Sequence, residues 1–379
     1  MDFTFTEEQQ AAAETAKAIF ADVTPDSVPS PALTPGPVAD DFDRDLWQRL
    51  ADADLLSLLL NSDHDGADLD AIALCLILRE AAASLARVPL LENTAAALTI
   101  QTHGSTQLKQ HVLPHIADGR TVLTVAAHGR TGHDSATLAV TARNNPTGHT
   151  WTLDGIHTAV PWAHNADHII VPAHTPENQT VLAVIPHDAH GLHLADQTST
   201  TGERLAELHL DAVPVPHEHL IQAAGAWEEL HALLTTGTCA LALGLGTAVL
   251  KMTSEYTSKR EQFGHPVATF QAVAVQAADR YIDLRAMEAT LWQAAWRIAT
   301  HAEAPLPAAG DIAVAKIWAA DGVRRVVQTA QHLHGGFGAD IDYPLHRYHA
   351  WAKHLELSLG PAAQHEETLG ELLATHTLS

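Results

Sequence analysis

The stretch that decides the fold runs from Arg260 to Gln271 and reads REQFGHPVATFQ. It separates two long apolar stretches with the period of a helix, one ending near Lys259 and one spanning 272–299. The run His334-Gly335-Gly336-Phe337-Gly338 follows a third helical stretch (311–332), and a fourth spans 348–359. Long helices joined by short connections predict an antiparallel four-helix bundle over residues 225–379.

Before this bundle, the period of the sequence changes from helical to that of β-strands. Leu138, Val140 and Ala142 alternate with smaller or polar neighbours. Further short β-rich runs, separated by Pro, Gly, Asn and Asp, lie at 151–153, 169–171, 181–185 and 205–210. Several short strands at this spacing predict a middle β-sandwich or barrel domain over residues 120–218.

The first third of the chain has helical patterns. Thr6-Glu7-Glu8-Gln9 has the spacing of a capping box, and apolar stripes follow at 45–50 and 71–85. The segment 22–40 is rich in Pro and Ser, which indicates a loop, and Gly119 supplies a stop signal. We therefore expect an N-terminal α-helical domain over residues 1–119 and an α+β multi-domain protein.

Composition excludes several kinds of partner. The formal net charge is -24 over 379 residues, so the surface repels nucleic acid and anionic lipid. Cys75 and Cys239 lie in apolar helical patterns without metal-ligand spacing, as expected of buried free thiols. We found no signal peptide and no apolar run long enough to span a bilayer, which predicts a cytoplasmic protein.

The two glycine-containing motifs of the bundle, together with the order helices, strands, helices, resemble the acyl-CoA dehydrogenase family over nearly the whole chain. The resemblance implies the acyl-CoA dehydrogenase fold and an FAD cofactor, whose adenosine half is held across a dimer interface. The residues that it assigns to cofactor binding are Arg260, Gln262, Phe263, Gln271, His332, Gly335 and Gly336. Their chemistry agrees, because a guanidinium holds pyrophosphate with two hydrogen bonds and glycine lets the backbone approach a phosphate. His332 departs from the family, which has a glutamine at that position.

The catalytic base of the family is missing. Removal of the α-proton of an acyl thioester requires a glutamate against the α-carbon. The positions at which the family places it fall on Leu359, Leu241 and Leu234 in this chain. Leucine cannot accept a proton, so the sequence predicts no catalytic residue.

The segments that resemble the flavin-ring contacts are also altered. Ala127 replaces a threonine, and the aligned run continues through Gly132-His133-Asp134. The Trp-Ile-Thr of the family becomes Ala159-Val160-Pro161, and proline offers neither a hydroxyl nor an N–H group. The pattern resembles the non-catalytic subunit of actinobacterial heterotetrameric dehydrogenases that act on steroid side chains, as in cholesterol catabolism. It implies an FAD shared with a homologous partner subunit, which would bind most of the acyl-CoA substrate.

Two alternatives stay open at this stage. Glu356, one turn before Leu359, is a candidate for a relocated base in a complete homotetrameric enzyme. The chain is alternatively a non-redox binding or scaffold protein on the same fold. The pairs His217/His219 and His332/His334 have a spacing that does not place both rings on one helix face, so no metal site is expected.

Overall fold

The computed structural model describes residues 4–25, 28, 30, 36–131, 135–145 and 149–376. The chain divides into two compact units. The helical unit comprises Met1–Leu33, Asp70–Ala86 and Thr235–Ser379, and the sheet unit comprises Thr34–Leu69 and Arg87–Leu234. The domain limits expected at 119 and 225 stay a prediction.

The helices are α1 (Glu7–Phe20), α2 (Arg44–Asp52), α3 (Ala71–Ala83), α4 (Leu90–His103), α5 (Thr106–Val112), α6 (Ala136–Ala139), α7 (Ala226–Lys259), α8 (Gln271–Thr300), α9 (Ala308–His334), α10 (Leu345–Leu357) and α11 (Ala362–Thr375). The strands are β1 (Leu123–Val125), β2 (Val140–Asn144), β3 (Thr150–Pro161), β4 (His168–His174), β5 (Thr180–Pro186), β6 (Leu192–Thr198), β7 (Arg204–Pro216), β8 (Leu220–Ile221), β9 (Glu261–Gln262) and β10 (His265–Pro266).

In the helical unit, α1 packs on α3, and α9 packs against α8, α10 and α11. The capping box predicted at the start of α1 is confirmed, because Thr6 Oγ1 accepts the Gln9 N–H and Gln9 Oε1 accepts the Thr6 N–H. Helix α7 approaches α3 closely at Gly244, where a Cβ would lie 2.0 Å from the Arg79 carbonyl oxygen.

Helix α7 corrects one sequence-based expectation. It is long and apolar enough to cross a membrane by length and composition. However, 78% of its most apolar window is buried inside the structure, which is typical of a core helix.

The sheet unit contains one mixed sheet of eight strands. The strand order is β6-β7-β3-β2-β4-β5-β8, and β1 pairs with β4 in parallel. Its buried side chains include Leu153, Ile169, Val171 and Leu208. The predicted order of helices, strands and helices is therefore confirmed.

Three local expectations were wrong or incomplete. Leu138 lies in α6 rather than in a strand, and its side chain is 60% exposed. Helices α4 and α11 and strand β6 were not predicted. The last predicted helix begins three residues earlier, at Leu345, and ends two residues earlier, at Leu357.

Candidate functional site: an open cationic and aromatic pocket

The motif after α7 forms a tight two-residue hairpin. Strands β9 and β10 pair so that Gln262 lies opposite His265. Phe263 (φ 53°) and Gly264 (φ 78°) occupy the turn, both with left-handed backbone, as a type I′ turn requires. Phe263 is 91% exposed, and its ring lies edge-on to Phe270, at 6.3 Å between ring centroids. A phenylalanine in this strained, exposed position presents an aromatic face to solvent instead of to the core.

Arg260 lies beside the hairpin at the mouth of a pocket of about 410 Å³. The pocket is lined by Met252, Glu255, Tyr256, Lys259, Arg260, Phe337 and Tyr343. The Arg260 N–H donates to the Tyr256 carbonyl oxygen (2.8 Å), and its own carbonyl accepts the Val267 N–H (2.7 Å). Within the described chain, no carboxylate pairs with the exposed Lys259 or Arg260. The backbone is therefore fixed while two cationic groups stay available for an anion.

Stacked rings form the aromatic wall of this pocket. Tyr256 stacks on His334 at 4.3 Å and on Phe337 at 5.5 Å, and Phe337 contacts Tyr343 at 4.5 Å. The His334 Nδ1–H donates to the Ala330 carbonyl oxygen (2.8 Å), so Nε2 accepts the Tyr343 hydroxyl (3.0 Å). Burial lowers the pKa of His334, which favours this neutral tautomer. This wall was not predicted from the sequence, although its aromatic residues lie within or beside the two motifs.

The end of α9 is built around Gly335. This residue has φ 60° and ψ -140°, a conformation that requires glycine, and its N–H donates to the carbonyl oxygens of Gln331 and His332. The Gln331 side chain donates to the Gly335 carbonyl oxygen at 3.0 Å. His332 is exposed on the last turn. A glutamine is thus present at 331, one residue before the position at which the family has it. Its side chain stabilises the turn at Gly335.

No contact within the described chain explains why residue 336 is a glycine. A Cβ at Gly336 would meet nothing within 4 Å, and the backbone there has no left-handed φ. By contrast, a Cβ at Gly338 would lie 2.9 Å from Gln331 Nε2 and 3.0 Å from His334 Cβ. Gly335 and Gly338 therefore serve the fold of this chain. Gly336 leaves an open surface on which a group from outside can lie close to the backbone.

Gln271 is the first residue of α8, separated from the hairpin by four residues, and it is exposed. No side chain caps this helix start. The structure thus brings Arg260 together with Phe337, the neighbour of Gly336, in one pocket. It places Gln262, Phe263 and Gln271 on the adjoining hairpin and helix start.

The three positions predicted for a base hold no ionisable group. Leu234 is buried in α7, and Leu241 is partly buried. Leu359 lies in the turn after α10 with a left-handed backbone (φ 56°), and its carbonyl oxygen accepts the His365 Nε2–H at 2.9 Å. An aliphatic side chain at each position can pack but cannot accept a proton.

Glu356, the candidate for a relocated base, does not share a helix face with Leu359. Helix α10 ends at Leu357, so Leu359 lies beyond the helix. The Glu356 carboxylate is 14% exposed and lies 2.8 Å from Lys353 Nζ and 3.7 Å from Arg324 Nε. Its charge is compensated by two cations of its own unit, which is the arrangement of a structural ion pair.

The segment aligned with the flavin-ring contacts is held by other residues of the sheet unit. Ala159 has φ 53°, and its N–H donates to Gln197 Oε1 at 2.8 Å. The Pro161 carbonyl oxygen accepts the Thr124 hydroxyl at 2.6 Å. Neither Ala127, Ala159 nor Pro161 has a side-chain donor, so these residues do not fit the polar edge of a flavin ring. The aligned Gly132-His133-Asp134 lies outside the described residues.

One partly buried acid in this unit was not predicted. Burial raises the pKa of Glu92 to about 7, and the Trp162 side chain hydrogen-bonds its carboxyl group. Glu92 belongs to the first turn of α4, and Trp162 directly follows β3. Sequence periodicity cannot find such a group, since an acidic residue in the first turn of a helix is ordinary at the surface.

Histidines and cysteines give no sign of a metal centre in the part of the chain that the structure describes. No group of three or more His, Cys, Asp or Glu side chains there could hold a metal ion. Cys75 and Cys239 are buried and free, and burial raises the pKa of the Cys239 thiol to about 12. These thiols are therefore protonated and unreactive at neutral pH.

Comparison with known proteins agrees with this architecture. The family model described as "Acyl-CoA dehydrogenase, N-terminal domain" matches residues 6–120, and "Acyl-CoA dehydrogenase, C-terminal domain" matches residues 235–373. Among curated proteins, the acyl-CoA dehydrogenase FadE27 of Mycobacterium tuberculosis is 35% identical over 338 residues, which cover 88% of this chain and 89% of that protein.

Two solved structures are similar over almost their whole length. A variant of the Tcur3481-Tcur3483 steroid acyl-CoA dehydrogenase has a TM-score of 0.89 at 35% identity and covers 97% of this chain and 98% of that chain. The ChsE4-ChsE5 complex from Mycobacterium tuberculosis has a TM-score of 0.89 at 33% identity and covers 99% of each chain. The chain therefore belongs to the acyl-CoA dehydrogenase family, the FAD-dependent oxidoreductases that act on the CH–CH group of acyl-CoA thioesters.

Proposed function

We propose that this chain is the base-free subunit of an α2β2 FAD-dependent acyl-CoA dehydrogenase and completes the FAD site of a homologous catalytic partner. One contrast carries the proposal. The pocket of Arg260 is open and its cations pair with no carboxylate of a described residue, whereas Leu234, Leu241 and Leu359 occupy the base positions. A chain that cannot remove the α-proton has no use for a cofactor site unless another chain supplies the chemistry.

The residues of the pocket fit the adenosine diphosphate half of FAD. The guanidinium of Arg260 and the ammonium of Lys259 match the two negative charges of a pyrophosphate. The exposed rings of Phe263 and Phe337 offer faces for adenine or ribose, and the open surface at Gly336 admits close approach. FAD would supply the hydride acceptor of the reaction, and this chain would bind and orient its adenosine diphosphate half.

The names of similar structures support a steroid substrate class. The similar solved structure is named a steroid acyl-CoA dehydrogenase, and the ChsE4-ChsE5 structure is a complex of two chains. We assign to the assembly the α,β-desaturation of a steroid side-chain CoA ester in the cytoplasm, as in cholesterol catabolism, with the partner binding most of the substrate.

The test is the visible absorption spectrum of the chain, purified alone and after co-expression with a base-containing homologous subunit. We expect a colourless chain alone and a yellow complex with about one FAD for each pair of subunits. A yellow chain when expressed alone contradicts the proposal. A colourless complex also contradicts it and favours a non-redox scaffold.

A pair of arginine variants sharpens this test. Arg260→Met should reduce the FAD content of the complex about tenfold, since a bidentate charged contact contributes roughly 1.5–3 kcal/mol. Arg143→Met removes an exposed arginine of β2 that pairs with Asp154, and serves as the matched control without effect on flavin. Equal flavin loss in both variants would show that the effect of Arg260 is not local.

A further inference from the structure

Three rings of the wall beside Arg260 pack against one another in nearly parallel planes. The ring of Tyr256 makes an angle of 22° with that of His334 and of 13° with that of Phe337. His334 is buried, whereas Phe337 is 45% exposed and lines the pocket together with Arg260. Because close-packed rings cannot turn independently, the orientation of the buried imidazole affects the ring that a ligand meets.

Both nitrogens of the buried imidazole are occupied. The Nδ1–H group of His334 donates to the Ala330 carbonyl oxygen, and Nε2 accepts the Tyr343 hydroxyl. A neutral imidazole has one donor and one acceptor, so these two hydrogen bonds use its full capacity. A rotation of the ring would break both bonds and leave buried polar atoms without partners. The plane of the imidazole is therefore fixed from both sides.

The Tyr343 hydroxyl is held in place by the segment that carries it. The Tyr343 N–H donates to the Asp340 carbonyl oxygen, and the Asp340 N–H donates to the Phe337 carbonyl oxygen, both at 3.2 Å. The Tyr343 carbonyl oxygen accepts the His346 Nδ1–H of α10 at 2.8 Å. The ring of Tyr343 also contacts those of Phe337 and His334, at 4.5 Å and 5.3 Å between centroids. One residue thus joins the exposed ring, the buried ring and the next helix.

Loss of this hydroxyl would affect the pocket through His334. No other donor among the described residues reaches Nε2, so the imidazole would become a buried acceptor without a partner. Such an atom is costly, and the ring would turn to find another donor. The turn would displace Tyr256, which packs on the imidazole, and then Phe337 beside Arg260.

We propose that Tyr343 is a positioning residue of the cofactor pocket, which acts through His334 to fix the orientation of Tyr256 and Phe337. The inference rests on the proposed function, in which Phe337 offers a face to the adenosine half of FAD. It deepens that function, because it explains how an exposed ring keeps one orientation before the cofactor arrives. A binding group that is already in place loses less entropy when the ligand binds.

The test compares Tyr343→Phe with Tyr348→Phe in the co-expressed complex. Tyr348 is buried, and its hydroxyl donates to the Ala83 carbonyl oxygen at 2.6 Å, but it does not line the pocket. Each variant therefore loses one hydroxyl hydrogen bond of the helical unit. Flavin titration of the complex after removal of bound flavin measures the Kd for FAD, and circular dichroism verifies folding.

We expect Tyr343→Phe to raise the Kd for FAD about fivefold, which is typical for the loss of one hydrogen bond. Tyr348→Phe should leave this Kd within about twofold of the wild type, although it also destabilises the chain. An unchanged Kd in Tyr343→Phe overturns the positioning role. An equal rise in both variants also overturns it, because the effect then follows from a general loss of stability.

FMN gives a readout that a damaged fold would not reproduce. It lacks the adenosine monophosphate half of FAD and so has no group to place against Phe337. Tyr343→Phe should therefore raise the Kd for FAD but leave the Kd for FMN within about twofold. A parallel rise for both flavins contradicts a role at the adenosine end.

A double-mutant cycle tests whether Tyr343 acts through His334. In a His334→Phe background no acceptor remains, so Tyr343→Phe should cause less than a twofold further change in the Kd for FAD. Full additivity of the two effects overturns the proposed route.

Failure of the inference differs from failure of the proposed function. A wild-type complex that binds no FAD overturns both. A yellow wild-type complex in which Arg260→Met loses FAD, but Tyr343→Phe does not, overturns the positioning role alone.

Discussion

Lys316 Nζ donates to the carbonyl oxygen of Leu355 at 3.0 Å from a side chain that has no exposed surface. It also donates to the Glu356 carbonyl oxygen at 3.2 Å. These carbonyls belong to the last turn of α10, where no following helical N–H can serve them. A lysine of α9 therefore caps α10 next to the turn that carries Leu359. The turn of Leu359, at which the family places a catalytic base, therefore follows a helix end that Lys316 stabilises.

Lys316→Met should destabilise the chain, and the loss should grow with pH. Burial lowers the pKa of Lys316 from 10.5 to about 8. Between these values the unfolded chain binds the extra proton, so the wild type gains stability relative to the variant as pH rises from about 8 to 10.5. The gain should be on the order of 2–3 kcal/mol.

Urea unfolding of both proteins at pH 7 and pH 10 measures this difference. The neutral amine of Lys316 keeps two donors for the two carbonyl oxygens. Methionine leaves both carbonyl oxygens without a donor, which destabilises the fold by roughly 1–3 kcal/mol for each group. Lys17→Met, at an exposed position of α1, is the control and should change the free energy of unfolding by less than about 0.5 kcal/mol at both pH values. A difference that shrinks with pH would contradict the assigned role.

Gly336→Ala and Gly338→Ala should separate binding from folding. At Gly336 the new methyl group meets open space, so the free energy of unfolding should change by less than about 0.5 kcal/mol. The flavin affinity of the complex should nevertheless fall about tenfold or more, because the methyl group holds the cofactor away from the backbone. At Gly338 the methyl group would crowd Gln331 and His334, so the free chain should lose about 1–3 kcal/mol.

Urea unfolding of each free variant and flavin titration of each complex distinguish the two glycines. A Gly336→Ala complex with unchanged flavin affinity would remove Gly336 from the proposed site. If that variant also unfolds more easily as a free chain, the glycine serves the fold instead.

Glu356→Gln tests the alternative of a relocated base. Since Lys353 and Arg324 already neutralise the carboxylate, we expect the desaturation rate of the complex to stay within about twofold of the wild type. Stability should fall by about 1 kcal/mol or less, as is typical of a partly exposed ion pair. Asp321→Asn removes another carboxylate that pairs with Arg324 and is the control for this loss. A rate loss of about 100-fold or more would make Glu356 the base.

The sequence predicted what depends on local pattern. The capping box at Thr6, the long helices of the bundle and the motif around Arg260 are all visible as residue types at fixed spacing. Helix α4 was missed because it is buried on nearly all sides, so its sequence lacks a polar stripe. Strand β6 was missed for the opposite reason, since most of its residues are exposed.

Parts of the candidate site depend on contacts that no spacing reveals. Gln331, one residue before the predicted cofactor contact His332, donates from its side chain to the Gly335 carbonyl oxygen, and Gly335 itself has a positive φ. The stack of Tyr256 on His334 joins residues that are 78 positions apart along the chain, at 4.3 Å. The burial of Lys316 and Glu92 is likewise decided by tertiary packing, because both residue types are ordinarily exposed.

Glu92→Gln should change the pH dependence of stability in the direction opposite to Lys316→Met. Burial raises the pKa of Glu92 from 4.5 to about 7, so the folded chain keeps a proton that the unfolded chain loses. The group therefore stabilises the fold fully below about pH 4.5, and this contribution is lost as pH rises through 7. Relative to Glu92→Gln, the wild type should lose on the order of 1–3 kcal/mol between pH 4.5 and 7.5.

Urea unfolding at these two pH values measures the change, and Glu14→Gln on the exposed side of α1 is the control. The isosteric amide can still accept the hydrogen bond from Trp162. A variant that is more stable than the wild type at pH 7.5 but not at pH 4.5 would therefore confirm that Glu92 is a buried acid without a cationic partner. Equal slopes in the two proteins would show that the Glu92 carboxyl group is solvated.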